Sequence, residues 1–303
     1  MREVMGRALC YVALIIMGMV LRKVGFFKES DFHVLSKIVV KITLTAAIIK
    51  SFAGRELESS MMILVLMGLG FGVLVFSLGV LTNQTRGKKQ QAFAALNQSG
   101  CNIGNFVLPF SQSFMDPLCV MAVSLFDVGN AFVSLGGAHS FAVMMCDGGK
   151  GISLRPMMKA MVRSVPLMSY MVMILLSLLH ISLPNVALEF VDIIAGANSF
   201  LAMLMIGIGF SLDINMDQIR AAARILISRF AAGIGCAVLT WLFLPLPLTY
   251  RQGLVMSFLS PITTAAPAFT AQMDGDYNLA STINSLSILI SIGLILLSLN
   301  FIM

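Results

Sequence analysis

Two short stretches of the sequence combine amide or hydroxyl side chains with residues that break helices. They read GCNIGNFVLPF at residues 100–110 and SPITTAAPAF at residues 260–269, and both interrupt long apolar runs. Proline lacks an N–H and clashes with the carbonyl four residues before it, so Pro109 and Pro267 are each expected to open their helix. Gly104 weakens the first helix further. These two stretches are therefore the first candidates for a functional site.

The chemistry that these stretches predict is the binding of a small anion. An opened helix exposes backbone N–H groups at the positive end of its dipole, and such ends bind anions. The side chains of Asn102, Asn105, Thr263 and Thr264 add uncharged hydrogen-bond donors. If the two broken helices cross, these groups converge on something with the size and charge of a carboxylate. In hydrocarbon, non-helical backbone is tolerated only inside protein or beside a water-filled cavity, which fits a binding site.

Few ionisable residues lie within the apolar runs, and such residues are functional candidates by default. Asp127 lies deepest and is our candidate for carrying a proton or a cation. Asp192, nearer the outer face, is the second candidate. Lys41 and Arg229 are expected to extend their charged ends to the cytoplasmic interface. His139 is interpreted as an ordinary interfacial side chain.

Composition assigns the chain to the polytopic membrane proteins. Of its residues 58% are hydrophobic and 11% are charged, whereas soluble domains carry about 25% charged residues. The net charge of +6 comes without a basic stripe and interleaved aromatics, so loop positives explain it better than nucleic-acid binding. The five scattered cysteines predict neither a metal site nor a cofactor. No enzyme motif is recognisable, so the expected partners are the lipid bilayer and a small organic anion.

Hydropathy predicts an all-α fold of ten membrane-spanning helices without a soluble domain. The ten predicted spans are residues 7–24, 33–52, 61–82, 91–113, 118–145, 160–180, 187–211, 222–244, 251–272 and 278–300. The polar stretches fall in the fourth and ninth spans, at equivalent places in the halves 1–150 and 151–303. Because a five-span repeat inserts with inverted topology, we predict two inverted five-helix repeats with broken helices 4 and 9. Lysine and arginine concentrate in the loops after odd-numbered spans, which predicts both termini outside.

Two strings of small residues predict places where helices approach each other closely. They are GLGFG at residues 68–72 and GIGF at residues 207–210. Glycine has no side chain to hold two backbones apart, so neighbouring membrane helices can pack tightly at such positions.

From end to end, the sequence resembles the auxin efflux carrier (AEC) family of membrane permeases, which includes the plant PIN carriers and bacterial organic-acid permeases. The opening IIMGMVLRKVGFFKESDFHVLSKIVVKITLTAAIIKSF looks like the first two spans of that family. GCNIGNFVLPF is similar to the Asn-x-Gly…Pro stretch of its fourth span, and SPITTAAPAFTAQMDGDYNLAST to its ninth span and the start of its tenth.

The resemblance implies an elevator-type architecture, shared with bile-acid symporters and some sodium/proton antiporters. It implies a small organic anion as substrate, such as malonate, malate or an auxin-like acid. By motif position, Asn102 matches the substrate asparagine of the fourth span, and Pro109 and Pro267 match the prolines of the helix crossover. By analogy alone, the architecture also suggests a homodimer.

The predicted function is therefore secondary transport of a small carboxylate across the cytoplasmic (inner or plasma) membrane by alternating access. Two alternatives stay open. One is a symporter or antiporter of the bile-acid type on the same scaffold, coupled to Na⁺ or H⁺ through Asp127 or Asp192. The other is a membrane receptor that binds a ligand without transporting it, and binding without flux would distinguish it from a transporter.

Overall fold

The computed structural model describes residues 2–55, 57–146, 155–210 and 216–302. This part of the chain is helical throughout, except for loops and one isolated antiparallel bridge between Cys101 and Ile262. The predicted all-α fold class is confirmed for the described residues. The predicted boundary between the two halves, at residues 150 and 151, lies outside them.

The helices are numbered in chain order. Those of the first half are α1 (Arg2–Lys23), α2 (Glu29–Ile38), α3 (Leu44–Phe52), α4 (Met62–Leu81), α5 (Lys88–Gln98), α6 (Leu108–Ser111), α7 (Pro117–Phe132) and α8 (Ala138–Cys146). Those of the second half are α9 (Arg155–Arg163), α10 (Val165–Leu178), α11 (Asn185–Gly196), α12 (Asn198–Gly209), α13 (Met216–Phe243), α14 (Leu248–Phe258), α15 (Ala266–Gln272) and α16 (Tyr277–Ile302). Three π-helical turns, Val39–Thr43, Ile103–Val107 and Val133–Gly137, precede α3, α6 and α8.

Seven helical stretches of the described residues are long and apolar enough to cross a membrane. They are Glu3–Lys23, Ser30–Phe52, Met62–Leu81, Pro117–Cys146, Asn185–Gly209, Gln218–Phe243 and Tyr277–Ile302. The pair α9 and α10, bent by 69°, makes an eighth if the two helices form one span. The predicted fourth and ninth spans are instead each divided into two shorter helices, α5 with α6 and α14 with α15. The chain is thus a multi-pass membrane protein.

The helices pack as two units, and each unit draws on both halves of the chain. In the first packing unit, α1–α3 with α10–α12, α1 lies along α12, and α3 packs against α10 and α11. In the second packing unit, α4–α8 with α13–α16, α4 lies along α7, α7 contacts α14, and α15 contacts both α5 and α16. Contacts between the units are fewer and involve mainly α7 with α3 and α10, and α12 with α6.

Glycine permits the closest helix contact within each packing unit. A methyl group at Gly68 in α4 or at Gly129 in α7 would collide with the backbone of the other helix. The same holds for Gly18 in α1 and Gly207 in α12. The predicted close packing at the strings GLGFG and GIGF is therefore confirmed, since each string contains one of these glycines.

Candidate functional site

Each polar stretch contains a short non-helical segment that separates two helices. In the first stretch, α5 ends at Gln98 and helical residues resume at Ile103. In the second, α14 ends at Phe258 and α15 begins at Ala266. We call the residues between them, 99–102 and 259–265, the first and the second break.

The two breaks cross and are joined through their backbones. The N–H of Asn102 donates to the carbonyl of Pro261 at 2.9 Å, and the N–H of Thr263 donates to the carbonyl of Gly100 at 3.3 Å. Residues of the two breaks therefore run antiparallel for the length of one bridge. Non-helical backbone must find partners inside the protein when no water is available, and this bridge supplies four of them.

The helices open before the prolines that the sequence analysis named rather than at them. Pro267 lies in the first turn of α15, where the missing N–H has no helical partner to lose. Pro109 lies in α6 directly after a π-helical turn, so it distorts its helix without ending it. Inside the breaks lie Gly100, with a φ of +74° that favours glycine, and Pro261.

An asparagine from the predicted span after each break holds that break in place. The side chain of Asn130, in α7, accepts from the N–H of Cys101 at 2.8 Å and donates to its carbonyl at 2.8 Å. In α16, Asn284 donates to the carbonyls of Ile262 and Thr263 at 2.9 and 3.1 Å. The hydroxyl of Ser287 accepts from the N–H of Ile262 at 3.0 Å. In both halves, side chains of the span after the break thus form hydrogen bonds with the non-helical backbone of the break.

The sequence analysis missed these clamping side chains, although a signal was present. Asn130 and Asn284 are amides within the mainly apolar fifth and tenth predicted spans, each in the span that follows a break. Both are buried, with exposed fractions of 1% and 9%. A buried amide needs partners, so an isolated asparagine after a helix break predicts a backbone contact to that break.

Arg229, in α13, lies fully buried beside the crossing. Its Nη2 is 3.2 Å from Sγ of Cys101 and 3.3 Å from the carbonyl oxygen of Ser260. Its guanidinium also lies over the ring of Phe71, 4.7 Å from the centroid. The prediction that Arg229 reaches the cytoplasmic interface is wrong, since none of its surface is exposed.

The charge of Arg229 has a structural reason to be there. None of the acidic residues that the structure describes forms an ion pair with it. However, α5 ends at Gln98 and α14 at Phe258, and Arg229 contacts Cys101 and Ser260, which follow these ends by three and two residues. The carboxyl end of a helix carries a partial negative charge. Arg229 therefore sits where two such ends meet. Its Nε and Nη1 find no hydrogen-bond partner among the described residues, so part of its donor capacity is unused.

Asp127, in α7, lies beside the helical residues that follow the first break. Its Oδ1 accepts from Nδ2 of Asn130 at 2.9 Å, and its Oδ2 accepts from the hydroxyl of Tyr170 at 3.2 Å. A methyl group at Gly104 would lie 3.5 Å from Oδ2. The carboxylate is therefore close to the amino-terminal turn of the helical residues that follow the first break, where a negative charge is favoured.

The structure brings most of the predicted binding residues to the crossing. Asn102 and Thr263 lie in the bridged backbone itself, and Thr264 follows Thr263 in the second break. Nδ2 of Asn102 and Oδ1 of Asn105 are buried and have no hydrogen-bond partner among the described residues. The crossing thus presents unused donor and acceptor groups, as a ligand site requires.

The second acidic candidate, Asp192, lies elsewhere. It forms an exposed ion pair with Lys50 at 3.0 Å and lines a cavity of about 530 Å³ beside α6. Lys50, Arg55 and Gln112 line the same cavity, whereas the four predicted binding residues do not. With two cations and one carboxylate, its walls favour the entry of an anion.

Two further ionisable candidates make no contact with the crossing. His139 stacks on Phe269, with ring centroids 4.9 Å apart. Lys41 is exposed. Among the described residues, no three His, Cys, Asp or Glu side chains lie together as a metal site.

Replacing Gly100 with alanine is expected to damage the crossing. A non-glycine residue in the left-handed region costs about 1–2 kcal/mol, and the added methyl group would lie 2.8 Å from Cγ2 of Thr263. We expect a lower melting temperature of the purified protein in detergent. The matched control is Gly70→Ala in α4, where nothing lies within 4 Å and alanine favours the helix. Equal melting temperatures for both variants would contradict the backbone geometry at Gly100.

Comparison with known proteins does not supply a function. No protein-family model matches the chain, and no curated protein matches it significantly. A function can therefore be inferred only from the crossing, its clamps and the nearby charges of Arg229 and Asp127.

Proposed function

We propose that this protein is a secondary transporter that moves a small organic anion, a carboxylate, across the cytoplasmic membrane by alternating access. The observation that carries the proposal is the hydrogen-bonded crossing of the two breaks inside an apolar bundle. Discontinuous helices that meet within a membrane are the usual site of substrate binding in secondary transporters. Maintaining such a site without a function would be costly, because non-helical backbone is disfavoured there.

The proposal includes ten spans in two inverted five-helix repeats. In this topology, α5 with α6 and α14 with α15 are the fourth and ninth spans, α9 with α10 is the sixth, and both termini lie outside. The matched clamps support the repeats, because Asn130 serves the first break and Asn284 the second from equivalent helices. We also propose membership of the auxin efflux carrier family, on the motifs of the two polar stretches.

An elevator-type movement of the second packing unit against the first fits the way in which the helices pack. Each unit is closely packed within itself, whereas the contacts between the units are fewer. Both breaks belong to the second unit, so a bound anion would travel with it. By analogy, the first unit would form the interface of a homodimer in the inner or plasma membrane.

The crossing has the chemistry to hold a carboxylate. The unused Nδ2 of Asn102 is a neutral donor, and the helical residues from Ile103 onward point their free N–H groups at the same break. Thr263 and Thr264 add partly exposed hydroxyl groups. Beside the crossing, Arg229 provides a positive charge that attracts an anion. Since no described acidic residue pairs with Arg229, no ion pair has to be broken when the anion binds.

Changing Asn102 to alanine is expected to remove binding while leaving the fold intact. Because its Nδ2 has no hydrogen-bond partner among the described residues, the substitution removes no known hydrogen bond of that atom. The measurement is a melting-temperature screen in detergent against mono- and dicarboxylates, followed by uptake into proteoliposomes. A ligand that binds only the folded protein raises its melting temperature. We expect the shift to disappear and uptake to fall at least about tenfold, equivalent to about 1.4 kcal/mol.

The control for this substitution is Asn83→Ala, whose amide contacts Gly79 and Thr82 of its own helix end. It should keep the ligand-induced shift. A full shift in Asn102→Ala would exclude Asn102 from the site. A wild-type protein that binds a carboxylate but never transports it would instead be a receptor.

A second candidate function, cation-coupled transport, is favoured by Asp127. This carboxylate lies within a predicted span, next to the first break, and pairs with no described cation. Such a group is a common carrier of coupling protons or ions. If uptake requires Na⁺ or a proton gradient and is lost in Asp127→Asn, the protein is a symporter or an antiporter on the same scaffold.

A further inference from the structure

Few polar side-chain contacts connect the two packing units. Apart from contacts to backbone, the pairs among the described residues include Tyr170 with both Asp127 and Ser124, Ser51 with Ser124, Asn198 with Gln112, and Ser199 with Ser113. All of these pairs but one are between neutral groups. The pair of Tyr170 and Asp127 differs, because a carboxylate can gain or lose a charge without leaving its place.

The neighbours of Asp127 leave Tyr170 as the titratable group that faces it. Neither α4 nor α6 contains a titratable residue, and α10 contains only Tyr170. In α3, Lys50 pairs with Asp192 instead. The remaining titratable residues of the helices packed against α7 are Arg155, Lys159 and Arg163 in α9, and Tyr250 and Arg251 in α14. None of these forms a hydrogen bond or ion pair with Asp127 among the described contacts.

The hydrogen bonds of Asn130 decide which oxygen of Asp127 can take a proton. The side-chain amide has two hydrogens, and Nδ2 donates to the carbonyl of Cys101 and to Oδ1 of Asp127. Its own oxygen already accepts from the N–H of Cys101. Oδ1 of Asp127 must therefore remain an acceptor, and a proton from solvent would bind to Oδ2, the oxygen that faces Tyr170.

We infer that Tyr170 is a positioning residue that couples the protonation of Asp127 to the contact between the two packing units; this inference rests on the proposed function. When Asp127 is ionised, the phenol donates to a carboxylate and holds α10 to α7. When Oδ2 carries a proton, it donates to the phenol oxygen instead, so the phenol must turn its own hydrogen elsewhere. The contact then becomes neutral, and a charge-assisted hydrogen bond is about twice as strong as a neutral one.

The same side chains connect this boundary to the crossing. Asn130 contacts both the first break and Asp127, with distances of 2.8 and 2.9 Å. Tyr170 is itself confined, with 1% of its surface exposed and its ring edge-to-face with Phe52 of the first packing unit. A change in the protonation of Asp127 would therefore alter hydrogen bonds both at the crossing and at the boundary between the two packing units. Protonation would free the second unit to move.

The test is a double-mutant cycle read out without substrate. Melting temperatures of wild type, Asp127→Asn, Tyr170→Phe and the double variant are measured in detergent, in an alkaline and in an acidic buffer. We expect the two substitutions to be coupled in the alkaline buffer and the coupling to be clearly weaker in the acidic one. Equal coupling in both buffers, or none in the alkaline one, would overturn the inference.

A second measurement covers the case in which Asp127→Asn does not fold. The shift in melting temperature between the two buffers is then compared in wild type and in Tyr170→Phe, with Tyr250→Phe as the control for losing a buried phenol. We expect Tyr170→Phe alone to reduce the shift. An undiminished shift contradicts the role of Tyr170.

Uptake into proteoliposomes separates the two proposals. The double-mutant cycle needs no transported anion. A wild-type protein without any uptake would therefore contradict the proposed function but would not affect the result of the cycle. In an active wild type, Tyr170→Phe should flatten the dependence of uptake on pH, whereas Tyr250→Phe should preserve it. An unchanged pH profile in Tyr170→Phe counts against the inference and not against transport.

Discussion

Replacing Asn130 with leucine is expected to destabilise the protein more than any other single change at the crossing. Leucine has the same branched arrangement of side-chain heavy atoms but can neither accept from the N–H of Cys101 nor donate to its carbonyl, both 2.8 Å away. A buried backbone group without a partner costs about 1–3 kcal/mol. Two such groups give a loss of roughly 2–6 kcal/mol. Thermal unfolding in detergent should show a large drop in melting temperature and little remaining uptake.

The matched control is Asn300→Leu near the end of α16. The amide of Asn300 is exposed and makes only long contacts, of 3.4 and 3.5 Å, to carbonyls of its own helix. Its replacement should leave the melting temperature almost unchanged. If Asn130→Leu were no less stable than Asn300→Leu, the clamp on the first break would contribute nothing to stability. The matched clamps would then no longer support the two repeats.

Replacing Arg229 with methionine is expected to reduce transport strongly. The substitution removes the positive charge that faces the carboxyl ends of α5 and α14 and leaves the carbonyl of Ser260 without that donor. A charge at a helix end contributes up to about 2 kcal/mol in a partly buried setting, and here two ends share one cation. The crossing also loses the charge that balances a bound anion. We expect uptake at least about tenfold lower, equivalent to about 1.4 kcal/mol.

Two further variants show whether the effect comes from the charge of Arg229 or from the loss of an arginine in general. Arg229→Lys keeps the charge but loses the planar fork of donors, so it should fold and keep part of the uptake. Arg251→Met is the control for removing an arginine. The guanidinium of Arg251 contacts the carbonyl and the ring of Trp241, away from the crossing. That variant should transport like wild type. Normal uptake by Arg229→Met would show that the crossing needs no buried cation.

Sequence reasoning located the membrane helices and the two polar stretches because both signals are local. A long apolar run predicts a span, and amides with glycine and proline predict an interruption, without knowledge of what lies next to them. It also predicted the close contacts at Gly68 and Gly207, since a small residue in an apolar helix has few other uses. It misplaced the openings of the helices because a proline in a first turn is compatible with a helix, whereas Gly100 and Pro261 lie inside the breaks.

What the sequence by itself determined about this protein is therefore a multi-pass helical bundle with two interrupted segments. The tertiary structure decided which groups meet there. Arg229 lies 128 residues from Cys101 in the chain, and Asp127 lies 43 residues from Tyr170. Helical periodicity describes one helix at a time and contains no information about which faces of distant helices come together. Only packing could show that Arg229 is buried at two helix ends rather than extended to an interface.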